Sequence, residues 1–187
     1  LRKKYREIND RVNVTQLEGN QVDLIDCIIN GKVDLAITYN LSLPKNIFFI
    51  PLRNVPPHVL LSVNHKLAKE REIDLNQIKE EPLILLDLPL SREYFLSIFE
   101  KLNIKPFISE RTSQISVLRS LVAHEFGYSL ANLQLGISQS VDGLKIAQIP
   151  LKDYNDSLEL GLALADIDYM SSLTREFVDF AKSFFKN

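Results

Sequence analysis

The 187-residue sequence has little cysteine, no long apolar run and almost no net charge, and each shortage excludes a class of protein. Cys27 is the only cysteine, so the chain forms no internal disulfide, and a reducing cytoplasm fits this usage. No run approaches the roughly 20 apolar residues that span a bilayer. The formal charge of −2 argues against nucleic-acid binding by this chain alone, because such binding depends on clustered Lys and Arg.

The motifs of the common enzyme classes are also missing. There is no Gly-x-Ser-x-Gly elbow, no Gly-x-Gly-x-x-Gly fingerprint and no Walker loop. His58, His65 and His124 are far apart, and none has the spacing of a metal-ligand pair. Cys27 stands among apolar residues and is interpreted as an inert buried thiol. We therefore expect a protein that is not an enzyme and that holds no metal and no cofactor.

The first forty residues have the pattern of a βαβ unit. Val12–Leu17 predicts a strand, and the helix that follows has an N-cap at Asn20 and a left-handed C′ residue at Gly31. The nearly apolar run Val33–Ile37 predicts a parallel strand that is buried on both faces. Ligands of open α/β sheets bind at the carboxyl ends of such strands, so the polar turns here are candidate site positions.

Strands and helices alternate along the rest of the chain, which is typical of an α/β fold with mainly parallel sheets. Pro82 and Pro150 lie near two points where the chain could cross between lobes. We therefore predict two Rossmann-like lobes, the first made of residues 1–80 and 151–187 and the second of residues 81–150. Asp74 and Gln77 predict a capping box at the start of a short helix.

Three helix starts are candidate anion sites. Asn20, Ser91 and Ser113 each open a predicted helix after a strand or turn. A helix N-terminus presents unpaired amides and a partial positive charge, which suits a carboxylate or another anion. If these ends converge on one cleft, the ligand is a small anionic metabolite. The alternative is that each side chain only caps its own helix.

Six short phrases follow one another along nearly the whole chain, namely Leu17-Glu18-Gly19-Asn20, Gly31 to Ile37, Val63 to Ala68, Glu81-Pro82-Leu83-Ile84, Leu121-Val122-Ala123 and Phe126 to Leu130. In order and spacing they resemble the effector-binding domain of the LysR-type transcriptional regulators. Each phrase alone is degenerate, and it is their order that makes the resemblance specific.

The resemblance implies a two-lobed fold like that of the type 2 periplasmic binding proteins, with a small effector bound in a cleft between the lobes. It also implies pairing with a second copy, as a homodimer or a higher homo-oligomer. In the family, a winged helix-turn-helix and a first strand precede this region, and both are absent from this chain. We therefore expect contact with DNA only through the absent N-terminal domain, and no contact with a membrane.

The resemblance also implies which residues contact the effector. Arg92 would pair with a carboxylate through its two-pronged guanidinium, or it would be a solvated residue of a first helical turn. Tyr39 would stack on the effector or offer its hydroxyl, or it would begin a surface loop. The family's usual Leu-Pro is replaced here by Ala131-Asn132. The implied contacts are Asn20, Thr38 and Tyr39 in the first lobe, and Leu88, Ser91, Arg92, Thr112, Ser113, Tyr128 and Ala131 in the second.

The leading hypothesis is a cytoplasmic sensor domain of a bacterial transcriptional regulator. A periplasmic solute-binding protein of a transporter has the same fold, so the fold cannot separate these two functions. A small α/β enzyme is a third hypothesis, and the missing catalytic motifs count against it. The discriminating feature is the segment before Leu1 in the full gene, because a helix-turn-helix favours the regulator and a secretory signal favours transport.

Overall fold

The structure is a computed structural model that describes residues 1–134, 136, 138–152, 154–166, 168 and 170–186. No helix among these residues is both long and apolar enough to cross a membrane. The elements are α1 (Arg2–Ile8), α2 (Gln21–Ile29), β1 (Ala36–Tyr39), β2 (Phe48–Val55), β3 (His58–Ser62), a short 3-10 helix (Leu75–Gln77), β4 (Pro82–Leu86), α3 (Ser91–Lys101), β5 (Phe107–Thr112), α4 (Ile115–Ala123), β6 (Ser129–Ala131), β7 (Ile146–Pro150), β8 (Leu158–Leu164) and α5 (Ser172–Lys186).

The chain divides into two compact units. The first contains Leu1–Asn54 and Glu159–Asn187, and the second is the continuous stretch Val55–Leu158. These boundaries differ from the crossing points expected at residues 80/81 and 150/151. The reason is β3, which pairs with β6 and β7 and therefore belongs to the second unit. The two prolines that suggested the crossing points begin β4 and end β7, inside that unit.

The first unit is built on a three-stranded sheet in which β8 lies between β1 and β2. β1 runs antiparallel to β8, with Ala36 opposite Ala163. Ile25 and Ile28, one helical turn apart on α2, join an apolar cluster with this sheet. Val178 of α5 joins a second cluster. Burial of each such side chain contributes roughly 1.5–3 kcal/mol, so these two helices stabilise the sheet from their apolar faces.

The second unit is built around β3, whose five residues are all buried. β3 lies between β6 and β7 and is antiparallel to both. Val59 and Leu61 belong to a core shared with α3, and Leu60 belongs to a core shared with α4. A strand covered on both faces is apolar along its length rather than alternating, which explains its Val-Leu-Leu sequence.

The sheets combine parallel and antiparallel pairing. β4 and β5 are parallel, with Leu86 opposite Thr112, and an isolated parallel bridge joins Leu83 to Tyr128. The ladders of β1 with β8, and of β3 with β6 and β7, are antiparallel. The α/β class is confirmed, whereas the pairing includes more antiparallel ladders than the alternation of elements predicted. The reason is that β7 and β8 enter their sheets after long excursions of the chain rather than after a single crossover helix.

The segment Val12–Leu17, which the sequence predicts to be a strand, forms no strand in the structure. Val12 and Val14 are half-buried and the residues next to them are exposed, so the side chains still alternate as they would in a strand. Among the described residues, none offers this segment a neighbouring backbone for a ladder. The prediction is wrong because a strand needs a hydrogen-bonded partner, whatever its own sequence favours.

Three local signals are confirmed. The Asn20 side chain accepts a hydrogen bond from the Asp23 amide at 3.1 Å, as an N-cap does. Gly31 has a φ of +64° just after the end of α2, in the left-handed region that favours glycine. Asp74 and Gln77 form the complete capping box of the 3-10 helix.

Gly127 brings the start of β6 against the start of β4. Its φ is +155°, and a Cβ at this position would lie 2.2 Å from the carbonyl oxygen of Pro82. The same carbonyl accepts a hydrogen bond from the Tyr128 amide at 2.9 Å. Only glycine allows this approach without a shift of the backbone, and the approach sets β6 alongside β4.

Candidate functional site

The carboxyl ends of β4, β5 and β6 meet at one edge of the second unit, which we call the second-unit edge. The Asp87 amide, just after β4, donates to the carbonyl of Thr112 at the end of β5 at 2.8 Å. β6 runs alongside β4, and two hydrogen bonds join them. The Ile84 amide donates to the Tyr128 carbonyl at 2.8 Å, and the Ser129 hydroxyl donates to the Ile84 carbonyl at 2.7 Å. Three predicted positions, Leu88, Thr112 and Ala131, therefore follow or end strands at this shared edge.

Arg92 of α3 lies at the second-unit edge within a group of four charges. Its Nη1 donates to Asp87 Oδ1 at 2.7 Å, and its Nε donates to Glu93 at 3.0 Å. Arg111 Nη1 lies 3.6 Å from the other oxygen of Asp87. The hydrogen bonds that Arg92 donates to Glu93, the largest cause, and then to Asp87 raise the pKa of Arg92. Two guanidinium groups and two carboxylates balance each other, so a ligand carboxylate would compete with Asp87 and Glu93 for Arg92.

Two of the predicted helix caps are wrong. α3 has Leu90 as its N-cap, with a φ of +67° and no side-chain cap, and Ser91 is the first residue of the helix. α4 has Gln114 as its N-cap, so Ser113 lies one position too early. The Thr112 hydroxyl accepts from the Gln114 amide at 3.1 Å, which makes a local turn before the helix. Cap position depends on the backbone at a single residue, and sequence alone places helix ends only within a few residues.

In the first unit, the start of α2 lies beside the loop that follows β1. Gln21 Nε2 donates to the Leu41 carbonyl at 2.5 Å. Asn20 is engaged with Asp23 through both side-chain atoms, since its Nδ2 donates to Asp23 Oδ2 at 2.7 Å. Thr38 is buried within β1, and burial raises the pKa of the half-buried Tyr39. The structure therefore groups Asn20 with the β1 loop, and its side chain serves as a cap.

Tyr128 lies wholly in the core of the second unit. Its side chain is fully buried in the cluster shared with α3, and no described residue forms a hydrogen bond with its hydroxyl. Burial, followed by the charge of Glu81, raises the pKa of this phenol. The predicted contact residue thus presents no side-chain surface, whereas Ala131 at the other end of β6 is half-buried.

Two polar residues outside the predicted set lie at the same edge. Asn132 directly follows β6 and is 6% exposed. Its Nδ2 donates to the Val55 carbonyl at 2.8 Å and to the Tyr94 hydroxyl at 3.0 Å, and its buried Oδ1 has no partner among residues 1–134, 136, 138–152, 154–166, 168 and 170–186. Burial, the largest cause, raises the pKa of Tyr94 to about 12. The sequence signal for Asn132 is a polar side chain directly after a buried strand, in the place of an apolar family residue.

The described part of the chain contains no group of three His, Cys, Asp or Glu residues that could hold a metal ion. The two exposed or half-buried histidines are paired with single carboxylates. His65 Nε2 lies 2.7 Å from Glu81, and His124 Nε2 lies 2.6 Å from Asp142. These pairs connect neighbouring elements and lie outside the second-unit edge.

An α/β domain that gathers polar side chains where its strands end has the design of a small-molecule-binding domain. The family comparison is more specific, since the LysR substrate binding domain matches residues 1–186. The chain belongs to this family, and its fold is that of the type 2 periplasmic binding proteins. The family and its curated relatives are transcriptional regulators rather than enzymes.

Individual relatives agree with this assignment. The chain is 28% identical over 153 residues to the HTH-type transcriptional regulator TtuA of Agrobacterium vitis, a match covering 74% of this chain and 50% of the relative. The chain thus spans about half the length of that regulator. HinK, a LysR family transcriptional regulator from Pseudomonas aeruginosa, superposes with a TM-score of 0.90 at 30% identity, covering 98% of this chain and 64% of HinK.

A third relative has been solved with a ligand. The effector-binding domain of QuiR, in complex with shikimate, superposes with a TM-score of 0.82 at 23% identity. The match covers 98% of this chain and 88% of that domain. At this identity the similarity establishes the shared fold.

Proposed function

We propose that this chain is the effector-sensing domain of a bacterial LysR-type transcriptional regulator. It binds a small anionic effector, and the effector changes how a helix-turn-helix domain of the full-length regulator binds DNA. The regulator acts in the cytoplasm, where the DNA lies. A ligand shifts such an equilibrium only by binding one state better than the other. The observation that carries the proposal is the second-unit edge, where three strand ends bring polar and charged side chains together.

Arg92 and Arg111 are the groups on which a ligand carboxylate would bind. Both guanidinium groups approach Asp87, at 2.7 Å and 3.6 Å. An incoming carboxylate would replace the exposed Glu93 as the partner of Arg92. The planar guanidinium would bind it through two parallel hydrogen bonds. Ser91 and Ser113, beside the two uncapped helix starts, provide hydroxyls near the same strand ends.

The first unit has candidate positions of its own near the start of α2 and the end of β1. Tyr39 is half-buried, whereas Thr38 is buried. We propose Tyr39 and Asn20 as the candidate contact residues of this unit. The shikimate complex of QuiR supports the general design, in which a domain of this fold binds a small carboxylate.

The test is calorimetric titration of the purified chain with a panel of small carboxylates, repeated with Arg92→Gln. We expect the substitution to weaken binding about tenfold or more, because a hydrogen bond to a charged group contributes about 1.5–3 kcal/mol. Arg71→Gln, which removes an exposed arginine from the same unit, is the control and should leave the affinity unchanged. Equal affinities of the two variants, or no binding of any carboxylate, would refute the proposal.

We also propose that the domain pairs with a second copy through the outer face of α4. Val117, Phe126 and Val141 are exposed there, and they line a groove of about 350 Å³. Exposed apolar groups gathered around one groove are typical of a protein interface. The His124–Asp142 pair borders the groove and gives it the polar rim that such interfaces have.

Light scattering after size exclusion tests the pairing. Phe126→Lys should shift the chain toward monomer, because a charge would be buried at the interface. Phe107 is 57% exposed against 58% for Phe126 and lies outside the groove, so Phe107→Lys is the matched control and should leave the mass unchanged. The same mass for both variants would contradict pairing through α4.

A further inference from the structure

Asn132 has a fixed orientation and one unused atom. Its two amide hydrogens are taken by the Val55 carbonyl at 2.8 Å and the Tyr94 hydroxyl at 3.0 Å. Val55 offers only an acceptor, so the amide nitrogen must face it and the oxygen must point away. Asn132 Oδ1 is a buried acceptor without a partner in the part of the chain that the structure describes. Leaving such an atom unpaired is destabilising, because its bond to water is lost on folding and not replaced.

Tyr94 is the complementary half of the arrangement. Its hydroxyl oxygen accepts from Asn132, so its own proton points elsewhere. Among the described residues, no acceptor for that proton is found, and the side chain is only half-buried. The pair thus offers an unpaired, buried acceptor on Asn132 and an unpaired donor on the half-buried Tyr94, and a hydrogen bond joins the two side chains.

A single ligand hydroxyl matches this pair. It donates its proton to Asn132 Oδ1 and accepts the proton of Tyr94, which satisfies both atoms at once. A bare carboxylate has no proton to donate, and an apolar group satisfies neither atom. The pair lies at the second-unit edge, since Asn132 follows β6 and Tyr94 stands in the first turn of α3. Asn132 Oδ1 is buried and Tyr94 is half-buried, so a ligand would reach the acceptor from the side of Tyr94.

We infer that Asn132 and Tyr94 form a hydroxyl-recognising pair, so that the effector is a hydroxylated small carboxylate rather than a plain one. This inference rests on the proposed effector-sensing function and adds the substrate class. Two further features agree with it. The charges around Arg92 balance, so the edge does not select for negative charge alone. A site built to bond a hydroxyl also rejects an analogue that lacks it, because its buried polar atoms would then stay unpaired.

The experiment titrates the chain with matched pairs of carboxylates that differ by hydroxyl groups alone. The pairs are lactate and propionate, 4-hydroxybenzoate and benzoate, and shikimate and cyclohex-1-ene-1-carboxylate. We expect at least one hydroxylated member to bind about tenfold more tightly than its partner. Asn132→Leu and Tyr94→Phe should each reduce that preference to about twofold or less and leave the affinity for the plain carboxylate nearly unchanged.

Tyr154→Phe is the control, because it removes a phenol from the same unit without touching Asn132, and it should keep the preference. Tyr94→Phe also guards against a folding defect, since it leaves Asn132 and its bond to Val55 in place. Equal binding of both members of every pair, or a preference that survives both variants, overturns the inference while the proposed function stands. If no carboxylate binds, the proposed function fails together with it.

Discussion

At the scale of single residues, His58 and Gly127 lead to two predictions about stability. His58 begins the central strand of the second unit and is 1% exposed. Burial, the largest cause, lowers its pKa to about 4. Hydrogen bonding with the Pro56 backbone and with Gln148 opposes this shift, and the charge of the nearby Arg119 adds a smaller effect in the same direction as burial. The folded protein therefore holds this imidazole neutral, while the unfolded chain binds a proton near pH 6.5.

We predict that the protein loses stability as pH falls from about 6.5 to about 4. In this window the unfolded chain binds the His58 proton and the folded chain does not, so acid favours unfolding by up to about 3 kcal/mol. Above pH 6.5 the residue has no effect. Urea unfolding of the wild type and of His58→Gln, measured between pH 7 and pH 4.5, checks this. If the free energy of unfolding of the variant falls with pH as steeply as that of the wild type, the acid sensitivity belongs to other groups.

Gly127→Ala should destabilise the chain by about 3 kcal/mol, because the added Cβ would lie 2.2 Å from the Pro82 carbonyl and would push β6 away from β4. Gly143→Ala is the control. Gly143 also has a positive φ, +85°, but a Cβ there meets nothing within 4 Å, so only the backbone strain of about 1 kcal/mol remains. Thermal melting checks this. Equal decreases in the melting temperature of the two variants would show that the close approach of Gly127 to Pro82 has no energetic role.

At the scale of elements, two predictions that concern neighbours in sequence are confirmed, two helix caps are one residue out of place, and a strand that needs a distant partner did not form. The Asn20 cap and the Asp74–Gln77 capping box involve residues three apart, and both formed as predicted. Ser91 and Ser113 missed the cap positions because each helix begins one residue from where the pattern placed it. The strand at Val12–Leu17 failed because its own sequence cannot supply a partner.

The candidate site divides in the same way. Polar residues after apolar strands could be found from the sequence, and Leu88, Thr112 and Ala131 do reach one edge of the second unit. The contact between Asn132 and Tyr94 joins residues 38 positions apart, and that of Asn132 with Val55 joins residues 77 apart. Such pairings depend on sheet order and on the approach of α3, which local patterns do not contain. The residues predicted to contact the effector stay a prediction.

We predict that the amides of Val12–Leu17 exchange with deuterium much faster than those of β3. The segment has no ladder partner among the described residues, whereas β3 is bonded on both sides. An amide in a hydrogen bond exchanges only after that bond has opened, whereas an amide without such a bond exchanges directly. Hydrogen–deuterium exchange read by mass spectrometry compares the two segments directly. Protection of 12–17 equal to that of β3 would mean that the segment is paired in solution.

At the scale of the whole molecule, the second unit is continuous in sequence and the first is not. We predict that a fragment of residues 55–158 folds cooperatively alone, because it keeps β3 with both of its partners. A fragment of residues 81–150 is the control and should stay largely unfolded, since it lacks that central strand. Circular dichroism during thermal melting distinguishes them. Cooperative melting of the shorter fragment would favour the boundaries suggested by the prolines.

The position of β8 between β1 and β2 has a consequence for synthesis on the ribosome. The middle strand of the first unit's sheet is the last of its strands to be translated, after the whole second unit. The two outer strands must wait without their shared neighbour for more than half of the chain to emerge. The second unit, which is encoded later, is therefore the first that can complete its fold, and the nascent chain matures from its middle outward.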